Sequence, residues 1–379
     1  MGSKVALREI LTVEKRPIKP IAGTTYELYS LPAFDNNKTP ECVDGATIKS
    51  GKIEVCPDTI LLNKLNTKYR RIWPIEAVEQ NSIASTEFVP LRPHGVDYWF
   101  IYYWLISPRT TQLLVSLRAG TSSSHQRSDI NAFLQTEIEL PPEQTQKKIG
   151  SVLHSLDKKI ELNARTNGCL EETCVALAHN SGVKADAVLG DVCSLVTEKC
   201  PASEAEIATY VSSENLLPNY GDKQEASSLP TEGMVTVFRR GDILISNIRP
   251  YFKKIWYAST GGTCSTDVIV LRAKDHTASP YFYSCLRQDS FFSYVMAGAK
   301  GTKMPRGDKQ WIMKFPIGSA CPKAELKAMT NALAKVSTNN QESRSLVSLR
   351  DALLPKLMSG EIDVSEVDIT QPNSRLCEC

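Results

Sequence analysis

The chain has 379 residues, 42% of them hydrophobic and 23% charged, with a formal net charge of +2. That length exceeds one ordinary core and predicts two domains, and the near-zero charge excludes a stand-alone basic nucleic-acid binder, so any nucleic-acid surface has to be local or shared with a partner. No apolar run has the length of a membrane span, no hydrophobic leader follows Met1, and the eleven cysteines contain no Cys-x-x-Cys pair; a cytoplasmic protein with reduced thiols, no membrane association and no zinc ribbon is expected.

In chain order, residues 1–140 read as a first domain. Within it 58–63 and 86–91 are short apolar runs that predict strands, and the aromatic-rich stretch 98–118 predicts a helix. Residues 141–182 read as one long helix. A second domain, 183–320, follows with strands at 242–247 and 266–271 and a helix over 280–296; 321–362 is a second long helix, and 363–379 is a polar tail expected to be disordered.

The two domains repeat each other. DTILLNKLNTKYRRIW at 58–73 answers GDILISNIRPYFKKIW at 241–256, at an offset of 183. Ile60-Leu61 matches Ile243-Leu244, and Ile72-Trp73 matches Ile255-Trp256. Further on, Ser85-Thr86-Glu87 answers Ser265-Thr266-Asp267, Leu91-Arg92 answers Leu271-Arg272, Gly120-Thr121 answers Gly301-Thr302, and Arg127-Ser128-Asp129 answers Arg306-Gly307-Asp308. An ordered series of this kind at so long a period is a tandem duplication of one mixed α/β domain, not a solenoid.

Each copy is followed by a helix. After Pro141-Pro142, the residues Ile149, Leu153, Leu156, Ile160, Asn163, Asn167, Leu170, Cys174 and Leu177 fall at alternating steps of four and three, and Ser181-Gly182 closes the helix. After Pro322 come Leu326, Met329, Leu333, Val336, Asn340 and Ser343; near Leu346 the register reads as broken, with Leu349, Leu353 and Leu357 continuing the stripe to Ser359-Gly360. A stripe of about 45–50 Å exceeds the need of one small domain, so the helices are expected to pack on each other. If a pseudo-twofold axis relates the halves, they run antiparallel as a coiled coil, with Asn163, Asn167, Asn339 and Asn340 near one another. The fold class predicted is α+β: two tandem mixed α/β domains separated by two long antiparallel helices.

These residues resemble a known family. Leu349-Arg350-Asp351-Ala352-Leu353-Leu354-Pro355-Lys356-Leu357-Met358-Ser359-Gly360-Glu361-Ile362 resembles the closing motif of the specificity subunits of type I restriction-modification enzymes. Leu140-Pro141-Pro142, Gln146-Lys147-Lys148-Ile149 and Leu156-Asp157-Lys158-Lys159-Ile160-Glu161-Leu162-Asn163 resemble its first helix. Gly241-Asp242-Ile243-Leu244-Ile245-Ser246, Arg249-Pro250-Tyr251 and Gly301-Thr302-Lys303-Met304-Pro305-Arg306-Gly307-Asp308 resemble its second target recognition domain, and Gly120-Thr121-Ser122-Ser123 with Gln126-Arg127 the corresponding loop of the first. Asn66-Thr67 stands in the first domain where the second has Arg249-Pro250. The resemblance implies a subunit that does no chemistry. Its two target recognition domains each read half of an interrupted double-stranded DNA target, and its helices act as spacers. Two adenine-N6 methyltransferase subunits dock on it and restriction subunits join them. S-adenosylmethionine, ATP and Mg belong on those partners, with no cofactor on this chain.

Basic and aromatic residues recur at matching places. Lys64, Lys68, Arg70 and Arg71, with Tyr69, occupy the first repeat; Arg239, Arg240, Arg249, Lys253 and Lys254, with Tyr251 and Phe252, the second. The later loops add Arg118, His125 and Arg127, then Lys300, Lys303, Arg306 and Lys309. Cations neutralise phosphates, and planar or polar groups read base edges. The loops of the two repeats differ, so the two half-sites are expected to differ. Readers on one face of B-DNA sit about 34–36 Å apart for one helical turn, a spacing that the expected spacer suits.

No catalytic constellation competes with this reading. An amino-methyltransferase Asn-Pro-Pro-Tyr and a Gly-x-x-x-x-Gly-Lys-Ser/Thr loop are both missing, and His94, His125, His154, His179 and His276 lack metal-ligand spacing. Asp157-Lys158-Lys159 mimics part of a nuclease motif but lies on the helix. Two other readings stay open: a coiled-coil adaptor without sequence readout, in which neutralising Lys253-Lys254 or Arg70-Arg71 leaves function intact, and an enzyme with an unrecognised motif, in which the purified chain alone is active.

Overall fold

The computed structural model describes residues 3–36, 38–119 and 126–364. Gly120, Thr121, Ser122, Ser123 and His125 of the first recognition loop, and 365–379 of the expected tail, lie outside those residues. The chain divides into two units, the first made of residues 1–160 and 344–379, the second of 161–343.

The repeated strings become the middle of a sheet in both units. In the first, four strands run Leu11–Val13, Phe88–Pro93, Thr59–Asn63, Ile72–Ile75; in the second, Cys193–Leu195, Val268–Ala273, Ile243–Ser246, Ile255–Tyr257. Every pairing is antiparallel. The reason for the repeat is burial on both faces. Ile60 and Leu62 point into one apolar cluster, while Leu61 points with Trp73 and Phe88 into another. Ile243 and Ile245 divide from Leu244 and Trp256 in the same way. A strand covered on both sides reads as a continuous apolar run, because neither parity can be polar.

Thr86-Glu87 and Thr266-Asp267 are turns, not strand, and Ser85 ends the preceding strand Ser82–Ser85. Ser85 Oγ accepts from the Glu87 amide at 3.3 Å and Ser265 Oγ from the Asp267 amide at 3.3 Å, so the strands begin at Phe88 and Val268, two residues later than the sequence suggests. Each expected helix of this region is also two. Tyr98–Ile106 stops at Ser107, which is extended and caps Thr110 of Pro108–Ser116; proline at the first helical position cannot continue the preceding helix. In the second unit Ser279–Leu286 and Asp289–Ala297 break at Gln288, again in extended conformation. A second sheet of each unit differs: five strands in the first, three in the second. No helix among the described residues is long and apolar enough to cross a membrane.

The two long helices span Glu143–Asn180 and Lys323–Ser359. Gly182 and Gly360, just past their ends, have φ of +70° and +75°, the left-handed conformation that closes a helix at little cost only with glycine. Within the first unit Ile149 and Leu153 share a core with Leu354 and Leu357. Within the second, Cys174 and Ala178 share a core with Met329 and Leu333. In both units residue numbers rise on one helix as they fall on the other, so the packed segments are antiparallel.

The expected register break near Leu346 does not occur. Leu349 is 47% exposed. Buried and half-buried positions recur at steps of three and four along this helix, at Leu333, Val336, Asn340, Ser343, Val347, Arg350, Leu354 and Leu357. Arg350 takes the place assigned to an apolar residue because its charge is matched: Nη1 donates to Asp157 Oδ1 at 2.6 Å, and Tyr103 donates to the other oxygen of Asp157 at 2.6 Å. Leu156, Ile160, Leu170 and Val336 are half-buried.

Polar residues hold the seam inside the second unit. Asn339, 2% exposed, donates to Asn167 Oδ1 at 2.8 Å; Asn167 donates to Asn340 Oδ1 at 2.6 Å; Asn163 donates to Glu342 at 2.8 Å and Ser343 at 3.2 Å. Such amides permit one register and penalise slippage. Asn339→Ala strands a buried acceptor and should cost about 1–3 kcal/mol, read as a lowered urea midpoint, whereas Asn340→Ala, where water can enter, should cost less than about 1 kcal/mol.

The repeated Leu-Arg pair shows how the copies diverged. Arg272 makes a bidentate pair with Asp242, 2% exposed, at 2.8 and 2.7 Å. Arg92 instead takes its carboxylate from Glu14, and that guanidinium holds the Glu14 carboxyl below the usual range. Arg272→Met leaves a buried carboxylate unpaired and should lose about 3–5 kcal/mol by chemical denaturation; Arg272→Lys should restore only part of it, since the two-pronged geometry is lost.

Candidate nucleic-acid interface

The loop after the central strand is tied to a loop some 60 residues later, and the tie is the same in both units. In the first, the Lys64 amide donates to Glu87 O at 3.0 Å, the Ser128 amide to Lys64 O at 3.0 Å and the Asn66 amide to Gln126 O at 3.0 Å, with a bridge between Leu65 and Arg127. In the second, the Asn247 amide donates to Asp267 O at 2.8 Å, the Gly307 amide to Asn247 O at 3.3 Å and the Arg249 amide to Pro305 O at 2.8 Å, with a bridge between Ile248 and Arg306. Asn66 and Arg249 occupy the same place and both are left-handed, at φ +52° and +50°. The backbone turn outlived the change from Asn66-Thr67 to Arg249-Pro250. This clasp brings the early and late basic clusters of each domain together.

Side by side, the basic residues fall into different roles. Lys68, Arg70, Arg127, Lys300, Lys303, Arg306 and Lys309 are exposed; Lys64, Arg71, Arg118, Arg249, Lys253 and Lys254 are half-buried. Several meet carboxylates: Arg71 with Asp35 at 2.7 Å, Lys253 with Asp289 at 2.7 Å, Lys300 with Asp308 at 2.7 Å, Arg127 with Glu87 at 2.6 Å and Arg306 with Asp267 at 3.1 Å. Arg70 donates to Ile106 O at 3.1 Å. Arg118 serves its own loop, donating to Thr67 Oγ1 and Gln126 Oε1 at 3.3 Å each. Lys254 donates to Ser213 O, and burial lowers its pKa. The Arg127 guanidinium holds the Glu87 carboxyl below the usual range, so this pair is ionised at neutral pH.

Aromatic faces stand among these cations. Tyr69 is 53% exposed, with Lys68 Nζ 4.9 Å and Arg71 Cζ 5.2 Å from its ring centre. In the second unit Tyr251 and Phe252 lie 4.7 Å apart on a tight turn between left-handed Arg249 and Lys253. The Asn219 and Tyr220 amides donate to Phe252 O and Lys253 O at 2.8 and 3.0 Å, which braces the turn. Cations beside exposed, rigid aromatic faces suit a polyanion with stacked bases. Sequence reasoning missed the acidic partners, although Glu87 and Asp267 stand at equivalent places in the repeat. Among the described residues no His, Cys, Asp and Glu group could hold a metal ion.

Residues 4–172 match the family model described as the type I restriction modification DNA specificity domain. A stretch of 130 residues is 28% identical to the type I restriction enzyme HindI specificity subunit of Haemophilus influenzae, covering 34% of this chain and 28% of that protein. The match thus spans under a third of that relative's length. The crystal structure of the type I restriction-modification S subunit from M. genitalium aligns over 94% of this chain and 96% of its own at 16% identity, with a TM-score of 0.56, and shares the fold. The HsdS subunit of Thermoanaerobacter tengcongensis aligns over 95% of this chain and 97% of its own at 16% identity, with a TM-score of 0.40. The family match ends inside the first long helix, yet the second unit repeats the sheet order and the loop clasp of the first. Residues 4–172 thus match the type I restriction modification DNA specificity domain, and the chain as a whole has the fold of a solved type I restriction-modification S subunit.

Proposed function

We propose that this chain is the non-catalytic DNA-reading subunit of a type I restriction-modification complex. Each unit reads one half of an asymmetric, bipartite double-stranded target, and the long helices dock two methyltransferase subunits and set the unread gap. Restriction subunits join the same complex. S-adenosylmethionine, ATP and Mg bind to those partners. The observation that carries this reading is the duplicated clasp, which gathers a basic cluster and an exposed aromatic at the same place in both units. A bipartite target needs two similar readers; an adaptor or an enzyme does not.

Phosphate contacts and base contacts separate by experiment. Lys68 and Lys303 are exposed and make no ion pair among the described residues. Lys68→Ala and Lys303→Ala should each weaken binding of the assembled complex to all DNA sequences alike and lower the magnitude of the salt slope by about 0.9, measured by fluorescence anisotropy across a salt series. The decisive test of the reading is to co-express the chain with a cognate methyltransferase subunit and map N6-methyladenine by single-molecule sequencing. An interrupted, asymmetric motif that disappears without this chain is the expected result; methylation indifferent to its presence would return the adaptor to first place.

A further inference from the structure

One ion pair occurs twice. Arg127 pairs with Glu87, and Arg306 with Asp267, at equivalent positions of the two units. Both arginines remain open to solvent, with side-chain exposures of 53% and 56%. Both sit on the clasp itself, so their backbones are pinned by the bridges to Leu65 and Ile248. The backbones of the acidic residues are pinned too, since the Glu87 and Asp267 carbonyls accept from the same loop. The pair has survived the exchange of glutamate for aspartate and of Ser128 for Gly307 as the next residue.

A phosphate-neutralising arginine gains nothing from such a partner, because the carboxylate cancels the charge that releases counterions. A base-reading arginine gains direction. In the first unit Glu87 accepts from Nε at 3.1 Å and from Nη2 at 2.6 Å, which fixes the guanidinium plane, and in the second Asp267 Oδ1 meets Arg306 Nη2 at 3.1 Å. The Nη1/Nη2 edge is left, offering one hydrogen from each nitrogen in a planar fork. That fork matches the O6 and N7 acceptors of guanine in the major groove. A side chain already held in its bound geometry loses less entropy on contact.

We propose that Arg127 and Arg306 are specificity-determining residues, each reading one guanine in its own half of the target, with Glu87 and Asp267 as positioning residues that aim them. This rests on the DNA-reading function proposed above. Either target half therefore contains a guanine whose recognition depends on one arginine.

The test uses the assembled methyltransferase complex and the methylation map. The wild-type motif should hold a guanine in each half. Arg127→Lys should relax one guanine position in one half, with discrimination there falling on the order of 10–100-fold, and Arg306→Lys should do the same in the other half. Glu87→Gln should relax the same position as Arg127→Lys. A latch that only holds the loop would lower methylation at all sites together without changing a single base preference. The untouched half is the control for folding, since a variant that still reads it is assembled. A motif lacking guanine in either half, or one unchanged by Arg127→Lys and Arg306→Lys, overturns this assignment and leaves the specificity role standing. Tighter, equally selective binding by Glu87→Gln also overturns it, because the carboxylate would then be a brake on charge. Absence of any chain-dependent motif in the wild type removes the DNA-reading function and the guanine assignment with it.

Discussion

A helix of 38 residues is about 57 Å long, more than the core of a single small unit can cover, and the rest of the chain accommodates that excess. Apolar residues are spent where a core is at hand: Ile149 and Leu153 in the first unit, Cys174 and Ala178 in the second. Between these segments the contacting face turns polar. Arg350 with Asp157, and the asparagines 163, 167, 339 and 340, replace leucine there. An all-leucine face would bind more strongly in several registers. Paired amides and a matched charge bind less strongly in one, because every wrong register strands a polar group away from its partner.

Duplication explains the two units but not their differences. The central sheets have the same order because each middle strand is buried on both faces, and a strand so enclosed tolerates few changes. The edges were freer. Arg92 and Arg272 keep equivalent places yet find their carboxylates on different segments, Glu14 and Asp242. The second sheet has five strands in one unit and three in the other. Where the backbone itself carries the structure, side chains could change: the left-handed residue of the clasp is Asn66 in one copy and Arg249 in the other. That is the division expected of a scaffold that presents variable readers on an invariant frame.

The charge follows the same economy. A net charge of +2 is low for the DNA-reading role proposed above, and the structure shows where the cations went. Arg71, Arg127, Lys253, Lys300 and Arg306 all meet carboxylates. Paired cations have direction but little long-range field, whereas Lys68 and Lys303 keep their field. In the complex proposed above, this chain can leave bulk attraction to the assembly and use its own charges for orientation.

The sequence by itself determined the duplication, the central strands, the two long helices and much of their contact face, because each of these is written as a local period or a local echo. It also placed the basic clusters and their aromatics. It misread what depends on one residue's capping choice: the breaks at Ser107 and Gln288, and the serine turns that delay the strands at Phe88 and Val268. Tertiary structure alone decided that Arg350, not Leu349, faces the partner helix, that the two basic clusters of each unit meet, and that Arg127 and Arg306 face carboxylates. The clusters meet through backbone hydrogen bonds of the clasp, and the other two share one physical reason. A charge is placed by its counter-charge, and the partners stand between 39 and 193 positions apart in the chain, beyond the reach of any period.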